Sequence, residues 1–302
     1  MSTASEPTPQ DASGDRGVIH DIGYRHYDGP RLGRASIRRA MFVEGLRGSY
    51  GLGRSARSKV VPALLLAAAC LPALILVIVA SVSGADELPL GYTAYPRALE
   101  LLVALFVAAQ APVLVSRDLR FRVVSLYFSR PMERVDYVLA RWASLAGAVL
   151  VLLAAPLTLL LVGALLAEMP LGEQVGDYLR ALAQAALLAV LLSGVALVIA
   201  AVTPRRGLGV AAIVTVLLVL SGVQATVAGI ARNEGETALA GYSSLLSPSA
   251  LVAAVSDQVL GGGPGGGPPG AAGTAAAVAA YLLAVAACGA ALVLRYRKVS
   301  VS

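Results

Sequence analysis

The sequence predicts an all-α membrane protein: six transmembrane helices behind an interfacial elbow helix near a cytoplasmic N-terminus. Three observations carry this. Runs almost free of Asp, Glu, Lys and Arg recur near 60–82, 97–116, 138–166, 181–203, 208–230 and 274–294; about 20 such residues cross the ~30 Å hydrocarbon layer as a helix. Hydrophobic residues make up 57% of the chain and mean hydropathy is +0.76, well outside the range of a soluble domain. The charges that remain alternate in sign from one connecting segment to the next.

That alternation sets the expected orientation. Segments 1–59, 117–141, 204–207 and 295–302 hold 21 of the 24 basic residues. Segments 83–97, 167–180 and 231–273 hold only Arg97, Arg180 and Arg232, beside the acids Asp86, Glu87, Glu168, Glu173, Asp177, Glu234, Glu236 and Asp257. Basic loops stay on the cytoplasmic side, so both termini are expected there. The same bias explains a pI near 9.5. Basic residues at helix ends face anionic headgroups, and no nucleic-acid partner is expected. Cys70 and Cys288 both fall inside spans, so no structural disulfide is expected. The first 58 residues lack a hydrophobic run, and the first span can serve as the insertion signal.

Taken in order, residues 1–19 read as a polar, disordered cytoplasmic tail. Residues 20–59 form a cytoplasmic leader with a turn at Asp28-Gly29-Pro30 and an interfacial helix over 34–50. On that helix Ile37, Met41 and Leu46 fall near one face, opposite Arg34, Arg38, Arg39 and Arg47. The glycines of 51–59 bend the chain into the six-span domain, 60–302. Pro62 and Pro72 are expected to kink the first span. Segment 117–136 is the most charged membrane-proximal stretch, and Pro204-Arg205-Arg206-Gly207 is a tight turn. In the extracellular segment 231–273, residues 242–260 carry enough apolar side chains for a short helix on or dipping into the outer leaflet. Residues 261–273, mostly Gly and Pro, read as a flexible linker.

Catalytic chemistry is not in view. Gly51 to Lys59 lacks the spacing of a phosphate-binding loop, and no zinc-protease or serine-hydrolase motif occurs. His20 and His26 have no ligating neighbours, so no metal is expected. At membrane depth only neutral polar groups are expected: Gln110, Thr158, Gln184, Ser193, Thr215, Ser221, Gln224 and Thr226. Buried acid–base pairs are expected to be missing, with Glu100 paired locally to Arg97. Gln110, Ser221, Gln224 and Thr226 are the candidate substrate path. Ion-coupled carriers usually place ionisable groups at depth, which counts against that class.

Two segments are more specific. Residues 116–142, SRDLRFRVVSLYFSRPMERVDYVLARW, run from the second span through a short basic helix, break at Ser129-Arg130-Pro131 and re-enter the membrane at Tyr137 and Trp142. This resembles the cytoplasmic coupling segment of ABC-2 type transporter permeases. Residues 21–34, DIGYRHYDGPRLGR, resemble the leader of a bacterial subgroup of these proteins. The plan is similar across 20–302, including Leu-Ser-Pro at 246–248 before the last span. The family often carries Glu at the start of the coupling segment, where this chain offers only Asp118 in an acidic role.

The resemblance implies a non-catalytic permease subunit of an ABC exporter in the bacterial plasma membrane. It implies no cofactor of its own, ATP and Mg being held by partner ATPase subunits, and a second copy or a paralogous permease as the other half. The expected ATPase-coupling residues are Asp118, Leu119, Arg120, Arg122, Val123, Leu126, Tyr127, Phe128, Arg130 and Pro131. The absence of intramembrane charge points to a hydrophobic or amphipathic cargo. The competing classes are an ATPase-independent carrier or channel and a membrane scaffold.

Overall fold

A computed structural model describes residues 29, 33–83, 88–116, 118, 132–203, 205–261 and 266–299. The described residues from Gly33 onward are helical, with no strand among them. In chain order the helices are α1 (Arg34–Ser49), α2 (Ala56–Ser83), α3 (Tyr95–Ala98), α4 (Glu100–Leu114), α5 (Arg134–Leu166), α6 (Leu171–Val202), α7 (Arg206–Asn233), α8 (Thr237–Tyr242), a 3₁₀ turn (Ser243–Leu246), α9 (Pro248–Leu260) and α10 (Gly270–Val299).

Five of these, α2, α5, α6, α7 and α10, are long and apolar enough to cross a membrane. The chain therefore reads as a multi-pass membrane protein. The expected span at 97–116 takes a different form. One turn, α3, ends at Leu99, and the 15-residue apolar helix α4 follows. At 1.5 Å per residue α4 is about 22 Å long, short of the hydrocarbon thickness.

α5 is the hub. It packs against α1, α2, α4, α6 and α10, and its contact with α6 is the broadest in the fold. Leu145, Leu152, Leu153, Leu157 and Leu160 are fully buried along it. Small residues allow the helices to approach. A Cβ on Gly163 would lie 2.2 Å from Val77 Cγ2 of α2, and one on Gly194 of α6 would lie 2.6 Å from the Trp142 ring of α5. Aromatic groups then donate to helix carbonyls across the bundle: Trp142 Nε1 to Val190 O (2.8 Å), Tyr281 OH to Leu187 O (3.1 Å) and Tyr95 OH to Ala69 O (2.6 Å). α2 runs as one helix through both Pro62 and Pro72.

Helix ends follow from local chemistry. α1 stops in a Schellman motif: Leu52 N–H donates to Arg47 O (2.8 Å), Gly51 N–H to Gly48 O (3.1 Å), and Gly51 takes the left-handed conformation. This is the bend expected between α1 and α2. α5 ends the same way, with Glu168 rather than Gly in the left-handed position and Met169 packed back on Ala164.

As expected, α1 turns Ile37, Met41 and Leu46 toward the core and leaves Arg34, Arg38, Arg39 and Arg47 exposed. Its buried residues are Met41, Gly45, Gly48 and Ser49, a largely small-residue strip seated on α5. A Cβ on Gly45 would meet Ser144 Oγ at 2.5 Å. The segment 242–260 packs into the bundle along part of its length. α9 buries Leu251 to Ser256 against α6, α7 and α10. The expected linker is also partly ordered. Gln258 Nε2 donates to Pro268 O (2.6 Å), and the backbone at Gly267 lies close against Gly241.

Candidate functional site

The residues singled out from sequence divide between the two ends of the bundle. At one end the coupling segment leaves α4 and returns as α5. Of its expected residues, Asp118 is described. Leu119, Arg120, Arg122, Val123, Leu126, Tyr127, Phe128, Arg130 and Pro131 lie outside the described residues. What the structure supplies is the pair of flanks from which that stretch hangs.

The first flank is held by Asp118. Its Oδ2 accepts from Tyr137 OH (2.6 Å) and from Arg141 Nη2 (2.8 Å), and Arg141 Nη1 pairs with Glu44 of α1 (2.8 Å). The Arg141 side chain is 6% exposed and that of Asp118 15%. The Arg141 guanidinium also lies near the Tyr137 ring, which stacks edge-on against buried Tyr296 of α10. Just before Asp118, Ser116 Oγ donates to Ala200 O of α6 (3.0 Å). The absence of buried acid–base pairs expected from sequence is thus overturned. The sequence pattern puts Arg141 at the end of the charged segment 117–141, but α5 begins at Arg134, so Arg141 sits two turns inside a helix.

The second flank is held by α1. Glu133 and Asp136 form a reciprocal cap on the first turn of α5. Arg34 bridges both, 2.8 Å from Glu133 Oε1 and 2.6 Å from Asp136 Oδ2, and Arg38 stands 3.6 Å from Asp136 Oδ1. Hydrogen bonds donated to Asp136, then to Glu133, hold the Arg34 proton more tightly than in a free arginine. Lower on α1, Ser144 Oγ donates to Phe42 O (3.0 Å) and Tyr50 OH to Ala148 O (2.7 Å). Both flanks are therefore tied to the same two helices, α1 and α5.

At the other end lies a polar knot. Glu100 Oε1 accepts from Ser221 of α7 and from Ser249 of α9 (2.6 Å). Ser247 joins both serines, at 3.2 and 2.9 Å. Arg97 turns the other way, to Asp257 of α9 (2.9 Å). The local Arg97–Glu100 pair expected from sequence is not formed. The break at Leu99 puts the two residues on different helices, so the three-residue spacing no longer makes them neighbours. Nearby, Tyr92 OH donates to Gln174 Oε1 (2.8 Å), and burial pushes its phenol up to about 12.

Of the candidate path residues, Ser221 and Gln224 face this knot, Gln224 Nε2 lying 3.5 Å from Ser243 Oγ. Thr226 is exposed and donates to its own helix at Gly222 O (2.9 Å). Gln110 is buried in α4. Pro96, Glu100, Gln184, Leu217, Ser221 and Val252 help line a cavity of about 20 Å³ beside the knot. A single water needs about 10–15 Å³, so in this conformation the crevice has room for one water and no cargo. Glu100→Leu removes the acceptor shared by two serines and is expected to cost about 1–3 kcal/mol of stability. Thermal unfolding in detergent checks this, with Glu100→Gln retaining most of the stability.

No cluster of His, Cys, Asp or Glu that could hold a metal occurs among the described residues. Sequence reasoning found Asp118 but missed Arg141 and Glu44 on its flank and Arg34 on the other. A lone arginine seven residues into a helix that is otherwise apolar from Val138 onward was the available signal. No protein-family model matches the chain, and no curated protein matches its sequence.

Proposed function

We propose that the chain is the membrane subunit of an ABC exporter, an ABC-2 type permease with six spans. Its α1 is the elbow helix, both termini are cytoplasmic, and the membrane is the bacterial plasma membrane. In this reading α4, extended by α3, supplies the remaining crossing. The observation that carries the proposal is the double anchoring of segment 119–131. Asp118 ties its start to Arg141, Tyr137 and, through Arg141, to Glu44; Glu133 and Asp136 tie its end to Arg34. A push on a segment whose two flanks are so held passes into α1 and α5, and α5 touches most of the bundle. That is what a subunit without its own nucleotide site needs in order to use the work of an ATPase bound to the loop.

Within the loop, Tyr127 and Phe128 are aromatic anchors of the kind that dominate protein interfaces, and Arg120, Arg122 and Arg130 surround them with charge. ATP and Mg belong to the partner ATPase. A second copy or a paralogous permease completes the pathway, and α7, only 11% buried across its apolar window, is open to such a neighbour. Opening the crevice means parting α4 from α7 and α9, which breaks the bonds at Glu100. Its apolar walls suit a hydrophobic or amphipathic cargo.

A carrier working without an ATPase is the competing reading. The Asp118–Arg141 pair, largely buried, favours it, because carriers place ionisable groups within the membrane. Both carboxylates, Asp118 and Glu44, are already engaged by Arg141, two turns into α5, which suits an anchor better than an ion path. The test is mass spectrometry of the complex purified through a tag on this chain in mild detergent. A stoichiometric ATPase is expected with the wild type. Changing Tyr127 and Phe128 together to Ala should remove it and uncouple transport while the protein still inserts. No ATPase with the wild type, or full transport in the double variant, sinks the proposal.

A further inference from the structure

α6 and α10 end side by side, and a groove of about 240 Å³ opens between them, lined by Val198, Ala201, Val202, Leu292, Leu294 and Arg295 among others. Every lining residue except Arg295 is apolar, and no carboxylate lines it. Its rim side chains stand out from the protein: Val202 is 63% exposed and Leu294 56%. These residues lie at the ends of two membrane-spanning helices, where acyl chains give way to headgroups.

The arginine is placed for two tasks. Arg295 Nε donates to Ala201 O (3.2 Å), a carbonyl in the last turn of α6 that has no helical donor. A cation at a helix C-terminus is also favoured by the helix dipole. This use takes one of the five guanidinium N–H groups. The four on the two Nη atoms have no other hydrogen-bond partner among the described residues. Fixed at Nε, they form a pre-oriented fork, the geometry that binds phosphate through two parallel hydrogen bonds. Arg205 and Arg206, both exposed, follow Val202 by three and four residues and add positive charge at the same end of α6.

We propose that this groove holds an anionic phospholipid, with an acyl chain between α6 and α10 and its phosphate on the Arg295 fork. A capping role alone accounts for Nε. It does not account for an open apolar groove running up to the same side chain. The assignment requires only that the two helices span a bilayer, so it stands or falls independently of an ATPase partner.

The test is native mass spectrometry of the full-length protein in neutral detergent, with phosphatidylglycerol and phosphatidylcholine of matched chains as probes. The wild type is expected to retain phosphatidylglycerol over phosphatidylcholine. Arg295→Gln should lower that retention about tenfold, the effect of losing one charge-assisted bidentate contact. Arg295→Lys, which keeps the charge but not the fork, should fall between. Val202→Trp fills the groove from an exposed position and should lower retention with Arg295 intact, which decides the matter if the arginine variants do not fold. Equal retention of the two lipids by the wild type, or wild-type retention by the Gln and Trp variants, overturns the proposal. Displacement of the lipid by excess inorganic phosphate also overturns it, because it would reveal an anion site without a chain groove.

Discussion

Arg141→Leu is expected to destabilise the protein by about 3 kcal/mol, near the low end of the range for breaking a buried ion pair by removing one partner. The asymmetry of the cluster sets that magnitude. Glu44 is 61% exposed and rehydrates once released, whereas the Asp118 side chain is 15% exposed and loses its charged partner. Asp118 would keep the Tyr137 hydroxyl, which is too little for a carboxylate in that position. Adding Asp118→Asn to Arg141→Leu should recover part of the loss, since it removes the stranded charge. Thermal unfolding of the purified protein in detergent, run as a double-mutant cycle, reads both effects. If Arg141→Leu melts like the wild type, the cluster is not holding the flank. If the stability loss appears and ATPase binding is unchanged, the anchor is structural and does not transmit force.

Gly163→Leu should have an effect of similar or greater size by a different route. A Cβ at Gly163 would lie 2.2 and 2.4 Å from the two Val77 methyls and 2.9 Å from Val77 Cβ. Valine has little rotamer freedom in a helix, so the clash is not relieved by turning a side chain. The helices must separate, and α2 with α5 is one of the main contacts of the fold. Overpacking of a tight core typically costs about 1–3 kcal/mol, and a leucine at a helix crossing lies at or beyond the upper end. Gly163→Ala should show a smaller loss, and Val77→Ala in that background should restore stability. The measurement is again the melting transition, with size-exclusion to confirm a single species. Unchanged melting of Gly163→Leu would mean that α2 and α5 do not cross this closely.

Much of this architecture was legible because it is governed by composition. α2, α5, α6, α7 and α10 coincide with the apolar runs, since a membrane helix must be apolar along nearly its whole length. The bend at Gly51 was legible because a glycine-rich stretch follows a helical one. The failures are pairings. Arg97 and Glu100 are three apart in sequence, but the break at Leu99 sends them to α9 and to the α7–α9 knot respectively. Arg141 finds Asp118 and Glu44, 23 and 97 residues away, and spacing rules cover only a turn or two of helix. The close seat of α1 escaped sequence reasoning for a related reason. Its docking depends on Gly45 being small, and an apolar-versus-charged pattern does not register small size.

The seat of α1 on α5 also has a consequence in time. The bonds that hold it, Arg34 to Asp136 and Ser144 to Phe42, join residues 102 apart. At about 5–20 residues per second of synthesis, α1 leaves the ribosome roughly 5–20 s before its seat exists. Throughout that interval its glycine strip has nothing to pack on. The helix must wait near the bilayer surface, where Arg34, Arg38, Arg39 and Arg47 favour contact with anionic headgroups. Its basic residues thus serve the nascent chain first, and Arg34 turns to Glu133 and Asp136 only after α5 has arrived.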